Sequence, residues 1–414
     1  MGKEARVKVI KTRVPKWVIC TFCGVKQPFK KERENWRMVK DINLDKPLLL
    51  KVQTIYAKCL NPHCQRNSFA LPNGFEKYQR ATDRFKQEAL SGLICDNSTL
   101  PRVAKRFNRI FNTTGSKSTL DRWKRKEADK YDFKQIISKL GFSGILCIDE
   151  YKPKRSKTYD LIASDRLTER ILYLENLPKI YSPKAKGGIA KGLVEDFAYK
   201  LKDFGLNPFG CIVDLASVYP KQLKKVWPDV IIQFDYFHIV KIVYWYLKNA
   251  IKSFRVSLRE TDEVAYSDIW KHKWRILKNF DKLSLKEHLI LEYLMKRYKA
   301  TLIEKVLIFK EQVRDIFNLS QTPQEAYQRR EELIKEHYWR DSYHLSKIVK
   351  FLSTYKFEYM ISYLKYPNIP RSGNSESCIR VWRQMEKVRY GLTPKGRQNH
   401  LKLYQIYHYL GGKV

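Results

Sequence analysis

The sequence is poor in acidic residues and has no long uncharged apolar run. Its 414 residues include 43 Asp and Glu against 81 Lys and Arg, a formal net charge of +38. No stretch of about 18 uncharged apolar residues occurs, so no membrane-spanning helix and no membrane partner are expected. The longest apolar region, residues 230–247, is interrupted by Asp235, His238 and Lys241. The first residues contain no apolar core of signal-peptide length, and we therefore expect a cytoplasmic protein.

Low-complexity tracts and internal repeats are also missing. Apolar residues make up 43% of the chain and aromatic residues 13%, which excludes an intrinsically disordered protein. The length predicts two to four domains rather than a single core. A positive surplus of this size on a folded chain predicts a polyanionic partner, and association with the nucleoid would follow. Charge alone leaves RNA binding, or a merely basic protein, as alternatives.

Cysteine is scarce and unevenly placed. Four of the eight cysteines lie in the first 64 residues, as the pairs Cys20/Cys23 and Cys59/Cys64. In a reducing compartment, close pairs favour metal ligation over disulfides. Two pairs that each donate two thiolates predict a structural tetrahedral Zn²⁺ site within a small β unit over residues 1–75. The metal would supply folding energy that a unit of this size lacks.

Residues 77–131 have the pattern of three helices, starting near residues 82, 98 and 118. Apolar residues recur at the helical spacing in the first two, and the third combines buried Leu120 and Trp123 with many cations. This pattern predicts a helix-turn-helix domain whose last helix contacts DNA; a basic helix of an ordinary bundle is the alternative. The predicted DNA-facing side chains of this helix are Lys117, Ser118, Arg122, Lys124 and Arg125.

Strand patterns follow over residues 144–151, 157–164, 169–176, 209–215 and 230–234, with helices at 191–204 and 219–227. Three strands, a helix, a strand, a helix and a strand are the order of a ribonuclease-H-like domain. In that order the first and fourth strands are neighbours, which would bring Asp149 and Asp214 together. A charge on a buried strand is costly unless it is paired or bound to metal. We therefore predict that both aspartates bind Mg²⁺ or Mn²⁺.

Glu376 is the third predicted carboxylate. It comes after a long helical region rich in Lys, Arg, Tyr and Trp, which we interpret as a helical insertion over residues 241–365. Arg380 and Arg383 share its helical face and are predicted to hold DNA phosphates. Two aspartates and one glutamate would suffice for a pair of divalent ions about 3.5–4 Å apart, which assist displacement at phosphorus.

Three nearby side chains have less certain roles. His238 follows the fifth strand and could carry a proton or contact a phosphate; a structural role is equally compatible with the sequence. Asp235 has the same ambiguity and is left out of the metal set. Glu150 competes with Asp149, but strand alternation directs it to the opposite face.

These segments together resemble the DDE transposases of bacterial insertion sequences, most closely the ISL-three group, which has an N-terminal zinc-binding segment. The matching pieces are the two cysteine pairs, Ile148-Asp149-Glu150, Val213-Asp214, Asp235 with His238, Ser372 to Glu376, and Tyr390-Gly391. Ser377 and Cys378 depart from the group's third motif. The resemblance implies a catalytic triad of Asp149, Asp214 and Glu376 with two Mg²⁺ ions. It also implies binding of the element's terminal inverted repeats, cleavage of the ends and strand transfer into target DNA.

The predicted architecture is thus an α+β multidomain protein. Its parts are the zinc unit (1–75), the helix-turn-helix (77–131), the ribonuclease-H-like catalytic domain (140–240 and 366–414) and the helical insertion (241–365). Because two DNA ends must be held at once, a homodimer or a higher oligomer is expected. The alternatives are a catalytically silent DNA-binding regulator derived from a transposase, and a structure-selective nuclease of the same fold.

Overall fold

A computed structural model describes most of the chain. The described residues are 6–43, 46–76, 78–111, 115–153, 156, 158–177, 191–388 and 392–411. The predicted motif Tyr390-Gly391 lies outside them. The chain forms two compact units, Met1–Asp132 with Lys387–Val414, and Phe133–Glu386. Within the described residues, every helix is too short or too polar to cross a membrane.

The structure is mixed α/β and rich in helix. The strands are β1 (Arg6–Ile10), β2 (Trp17–Ile19), β3 (Lys26–Pro28), β4 (Lys31–Asn43), β5 (Lys46–Lys58), β6 (Ser68–Ala70), β7 (Ile145–Tyr151), β8 (Asp160–Asp165), β9 (Ile171–Asn176), β10 (Gly210–Val213) and β11 (Ile231–Phe234). The first helices are α1 (Asp83–Ile94), α2 (Leu100–Phe111), α3 (Lys117–Ala128), α4 (Phe133–Leu140), α5 (Lys191–Asp203), α6 (Val218–Val226), α7 (Tyr236–Ser257) and α8 (Glu263–Leu277). The later helices are α9 (Leu285–Arg297), α10 (Leu302–Asn318), α11 (Pro323–Lys335), α12 (Tyr343–Leu352), α13 (Phe357–Met360), α14 (Ser362–Lys365), α15 (Ser375–Val388) and α16 (Pro394–Tyr404).

The first unit contains two small sheets. The long strands β4 and β5 form an antiparallel hairpin, and β5 also pairs with β1 in parallel and with β6 in antiparallel orientation. The strands β2 and β3 form a separate hairpin. Leu50 and Val52 share one face of β5 and are buried in one small apolar cluster, whereas Ile55 and Ala57 are buried in a second small cluster.

The helices α1, α2 and α3 form a second core in the same unit, at the place where three helices were predicted. Phe85 of α1 packs edge-to-face against Phe107 and Phe111 of α2, with ring centroids 4.8 and 5.2 Å apart. Thr82 caps α1 and Ser116 caps α3 through their side-chain oxygens. Helix α16, from the end of the chain, also packs against α1 and α3.

The second unit is built on a five-stranded sheet with the order β11-β10-β7-β8-β9. The strands β7, β8 and β9 form an antiparallel meander, and β10 pairs in parallel with both β7 and β11. The predicted adjacency of the first and fourth strands is therefore confirmed. Residues 145–149 and 210–213 are all buried, so these central strands have both faces covered.

The helices around this sheet divide into two sets. The helices α5 and α6 pack against one another, and α6 buries Tyr219 and Leu223. The helices α7 to α12 follow β11, and α7 contacts α8, α10 and α12. The chain then returns to the sheet, since α13 and α14 contact β11 and α15 begins at Ser375.

Candidate active site and cysteine cluster

Asp149 and Asp214 lie side by side on neighbouring strands. In the parallel pairing of β7 with β10, Ile148 is opposite Val213; Asp149 is the next residue of β7, and Asp214 directly follows the end of β10. Asp149 is only 8% exposed. Each carboxylate accepts the backbone N–H of the following residue, at 2.7 Å for Asp149 and 2.5 Å for Asp214. The two predicted metal ligands are therefore brought together by the strand register.

His238 lies between these two aspartates. It occupies the first turn of α7, which begins directly after β11. Its Nε2 is 3.7 Å from Oδ2 of Asp149, and its Nδ1 is 3.2 Å from Oδ1 of Asp214. Burial opposes protonation of the imidazole, but the two carboxylates outweigh it and raise the pKa of His238 to about 9. The protonated imidazole therefore balances the negative charge of both carboxylates, at the position where a metal cation would contact them.

Asp235 has a positioning role instead. Its side chain caps α7 by accepting the N–H of Phe237 at 3.0 Å, and it also accepts the backbone N–H of Gly373. Burial raises the pKa of Asp235. Its carboxylate therefore ties the start of α7, and with it His238, to the segment that precedes α15.

Residues 372–375 are held on the sheet by hydrogen bonds to β8 and to the turn after it. Arg166 donates from Nε to the carbonyl of Ser372 at 2.8 Å. Asn374 donates from Nδ2 to the carbonyl of Asp165 at 2.6 Å, and its Oδ1 accepts the hydroxyl of Ser164 at 3.0 Å. Because Asn374 and Ser164 are both buried, these bonds fix the start of α15 firmly.

The same segment lies over the face of the sheet that carries the aspartates. A Cβ added at Gly373 would stand 3.4 Å from Sγ of Cys147 and 3.4 Å from Cγ2 of Ile212. Cys147 and Ile212 precede Asp149 and Asp214 by two residues, and side chains two apart on a strand share a face. The chain ahead of α15 therefore packs directly beside both carboxylates.

Arg383 lies at the other end of the segment that packs over β7. Its guanidinium lies 5.4 Å from the ring centroid of Tyr151, which shares the face of Asp149. Arg383 Nη1 is also 3.9 Å from Oε1 of Glu376, whose side chain is 56% exposed. The contacts of Gly373 and Arg383 thus bracket Asp149 along β7, with Glu376 on the helix between them. The carboxylate of Glu376 is turned towards Arg383.

Glu150, the competitor for the first position, is directed away from this site. Its Oε1 accepts the hydroxyl of Tyr219 from α6 at 2.9 Å. Tyr219 is fully buried on that side of the sheet. Strand alternation therefore separates Glu150 from Asp149, as expected from the sequence.

The four N-terminal cysteines converge. Cys20 and Cys64 have their sulfur atoms 3.9 Å apart, and Cys23 and Cys59 have theirs 3.7 Å apart. In the described part of the chain, this is the only group of three or more Cys, His, Asp or Glu side chains whose ligand atoms all lie within 4.8 Å. Four thiolates at a Zn–S distance of about 2.3 Å would stand about 3.8 Å apart in a tetrahedron. The cluster therefore fits a zinc ion.

The backbone N–H groups around these cysteines also favour metal binding. Three of the sulfur atoms receive a hydrogen bond from the N–H two residues further on: Cys23 from Val25, Cys59 from Asn61 and Cys64 from Arg66. Such bonds favour the thiolate form that ligates metal. The hydrogen bond from Val25 lowers the pKa of Cys23 to about 6, whereas burial raises the pKa of Cys59 and, despite the bond from Arg66, that of Cys64. Gly24, with φ of 72°, allows the tight turn after Cys23.

Helix α3 exposes most of the predicted DNA-facing residues. Lys117, Ser118, Arg122 and Arg125 are exposed, and Arg125 forms an ion pair with Asp121 at 2.7 Å. The prediction that Lys124 is exposed is wrong, because this residue is only 5% exposed. It stands four residues from both Leu120 and Ala128, and this spacing places all three on the buried face of the helix.

Some residues at the site were not predicted. Lys356 donates from Nζ to the carbonyl of Leu215 at 2.8 Å, beside Asp214, and burial lowers the pKa of Lys356. Asn374 and Arg166 anchor the start of α15. An asparagine just ahead of a predicted helix was a usable sequence signal for Asn374. The positions of Lys356 and Arg166 depend on contacts between distant parts of the chain, which a local pattern does not show.

Comparison with known proteins gives one informative match. Residues 146–394, more than half of the chain, match the family pattern of the ISL-three DDE group, described as transposase. Among solved structures, the chain is similar to one described as the Drosophila P element transposase strand transfer complex. The identity is 13%, the coverage is 79% of this chain and 92% of that one, and the TM-score is 0.43, a value too low to support a conclusion. No protein with a curated description matches.

Proposed function

Because this chain belongs to the ISL-three family of DDE transposases, we propose that it binds the terminal inverted repeats of an insertion sequence and catalyses metal-dependent DNA cleavage and strand transfer. The proposed catalytic residues are Asp149, Asp214 and Glu376. One observation carries this assignment: the strand register sets the two aspartates side by side, where both meet a single imidazole.

The donor set suits hard divalent cations. Carboxylate oxygens are the preferred protein ligands of Mg²⁺, and Asp149 and Asp214 offer them at one end of two adjacent strands. When bound, two such ions polarise the phosphate and activate the attacking oxygen. The aspartates hold the cations in place, and His238 supplies positive charge between the carboxylates before a cation binds.

Glu376 would complete the set after a change of rotamer. Its partner Arg383 is exposed and 3.9 Å away, and an ion pair of this kind contributes only about 0–1 kcal/mol. Release of Arg383 to a DNA phosphate would free Glu376 for a metal. Arg380 and Arg383 would then hold the DNA next to the carboxylates.

The sheet order supports a ribonuclease-H-like catalytic domain. A meander of three antiparallel strands extended by two parallel ones is the order expected from the sequence. We assign residues 140–240 and 366–386 to this domain and residues 241–365 to a helical insertion. The expected extension of the domain to residue 414 is not retained, because Lys387–Val414 belong to the first compact unit. The zinc unit over residues 1–75 and the helix-turn-helix over 77–131 would recognise the ends of the element.

The exposed cations of α3 suit this recognition role. Lys117, Arg122 and Arg125 are the proposed DNA contacts of α3, together with Ser118 near its N-terminus. The cysteine cluster would hold a structural Zn²⁺ that stabilises the small β unit. Two element ends must be joined in one reaction, so we propose a homodimer or a higher oligomer acting on double-stranded DNA at the nucleoid.

A reaction with defined DNA ends tests the function. The purified protein, Mg²⁺ and a duplex carrying the terminal repeat are expected to yield nicked DNA with a free 3′-hydroxyl, followed by joined products when target DNA is added. The same duplex with a scrambled repeat is the control and is expected to stay intact. Cleavage of branched DNA without joining would indicate a nuclease instead. Tight binding of the repeat without cleavage would indicate a regulator.

A further inference from the structure

The outer face of α7 is a continuous stripe of cationic and aromatic side chains that begins at the candidate active site. Positions three and four apart lie on one side of a helix. The side chains at this spacing are His238, Lys241, Trp245, Lys248, Lys252 and Arg255. From His238 to Arg255 the stripe is about 26 Å long at the rise of an α-helix. The opposite side, including Ile239, Val243 and Leu247, is buried.

Helix α8 widens this stripe. Arg255 lies 3.7 Å from the ring centroid of Tyr266 and 4.6 Å from that of Trp270. Lys273 lies 3.0 Å from the centroid of Trp270 and 5.3 Å from that of Trp274. Lys248 of α7 lies 5.7 Å from the ring centroid of Trp274 of α8, and this contact links the two helices.

The stripe also reaches the active site without a gap. Lys241 lies 5.8 Å from the ring centroid of Phe237, and that ring is 5.5 Å from the ring of His238. His238 contacts both Asp149 and Asp214. We call this surface of α7 and α8 the aromatic track.

The track combines exposed tryptophan side chains with a strong excess of positive charge. Trp245, Trp270 and Trp274 are 58%, 50% and 61% exposed, although tryptophan is normally among the more buried residues. No acidic residue occurs anywhere in α7. Of the two acids of α8, Asp268 is paired with Arg297 and His272, and Glu263 lies in the first turn. The surface is therefore strongly positive and carries three tryptophan side chains that are at least half exposed.

This combination discriminates between kinds of DNA. The phosphates of a duplex need only cations, and its stacked bases leave no face for an indole. Unpaired nucleotides offer both phosphates for Lys and Arg and base faces for Trp. We propose that the aromatic track holds unpaired nucleotides of the DNA strand whose phosphate is placed at Asp149 and Asp214. The location beside those aspartates rests on the proposed function, whereas binding to the track itself does not.

Photocrosslinking tests the location directly. The probe is an oligothymidylate of about 15 nucleotides with 5-iodouracil at several positions, bound to the full chain and irradiated. The expected crosslinks, mapped by mass spectrometry, are to Trp245, Trp270 or Trp274. Crosslinks confined to other parts of the chain would overturn the proposal.

Affinity measurements give a second test. Replacing Trp270 and Trp274 together by alanine is expected to weaken binding of the oligothymidylate at least about tenfold, since each stacked base contributes about 1–3 kcal/mol. Binding of a duplex of equal length should change little. The double replacement by phenylalanine keeps aromatic faces and should retain most of the affinity. Tyr199→Ala on α5, an aromatic residue that is 46% exposed and lies outside the proposed DNA-binding segments, is the control.

Two outcomes would show that the aromatic track does not bind unpaired nucleotides. In one, the alanine variant binds oligothymidylate as tightly as the wild type. In the other, it loses duplex and single-strand affinity equally. The Asp149→Asn variant separates this test from the proposed function, because it is expected to crosslink normally while failing to cleave. If the wild type crosslinks at Trp270 but never cleaves its element ends, the proposed transposase activity is wrong and the proposed binding of nucleotides to the aromatic track stands.

Discussion

Asp149→Asn is expected to lower the rate of Mg²⁺-dependent DNA cleavage at least about a thousandfold while leaving DNA affinity unchanged. The amide keeps the size of the side chain but removes the negative charge that a divalent cation requires. Metal-ion stabilisation of the transition state is worth several kcal/mol, and about 4 kcal/mol corresponds to a thousandfold in rate. Asp214→Asn should have the same effect, because the strand register places the two carboxylates side by side.

The control for this prediction is the neighbouring residue. Glu150→Gln removes the same charge one position further along β7, but its side chain points to Tyr219 on the other face of the sheet. We expect this variant to retain cleavage within about threefold, with thermal unfolding used to check that each variant is folded. Equal activity of the wild type and Asp149→Asn would exclude the proposed chemistry. Equal losses in Asp149→Asn and Glu150→Gln would point to general damage of the sheet.

Cys59→Ser is expected to abolish stoichiometric zinc binding and to unfold the small β unit. Cys59 is buried, directly follows β5 and lies 3.7 Å from Cys23. The apolar cluster around it is small, with Val18, Ile55 and Phe69 among its members. Zinc binding by such sites is worth about 10–16 kcal/mol, which exceeds what this cluster can supply.

Metal analysis and limited proteolysis provide the readouts. The wild type should contain one zinc per chain, and the variant should lose it and become sensitive to protease between residues 15 and 75. Cys95→Ser is the matched control, since Cys95 is exposed and lies outside the four-cysteine group. The second unit, Phe133–Glu386, should stay resistant in both variants. Unchanged zinc content in Cys59→Ser would contradict the assignment of the cluster.

The parts of the fold that follow from local patterns were predictable. Short apolar runs identified the strands of the second sheet, and their order implied the adjacency of β7 and β10. The spacing of the cysteine pairs predicted a cluster that the structure confirms. In both cases the residues responsible lie close together in sequence or follow a fixed periodicity.

Most of the omissions come from contacts between distant segments, whereas the error at Lys124 was local. Lys124 was predicted to face DNA, but its four-residue spacing from Leu120 and Ala128 places it on the buried face of α3. Helix α16, which packs on α3, comes from the far end of the chain. The 3–4 spacing of lysines along α7 was a readable local signal for the aromatic track, but the region was interpreted only as a helical insertion rich in Lys, Arg, Tyr and Trp. The link from Arg166 to Ser372 spans 206 residues and has no local signal.

The orientation of Glu376 is the point on which the catalytic assignment depends most. Its helix is anchored beside the aspartates through Asn374 and Gly373, yet its carboxylate pairs with Arg383. A cation bound by both aspartates would attract this third carboxylate. Because the pair with Arg383 is exposed, its loss costs little and the rotation is energetically accessible.

Crystallography with Mn²⁺ tests this convergence most directly. Anomalous scattering from crystals of the wild type grown with Mn²⁺ and DNA is expected to locate ions within about 2.0–2.3 Å of carboxylate oxygens of Asp149, Asp214 and Glu376. The Asp149→Asn variant should show no ion at that position. Mn²⁺ bound elsewhere, or bound with Glu376 still paired to Arg383 while cleavage proceeds, would contradict the account.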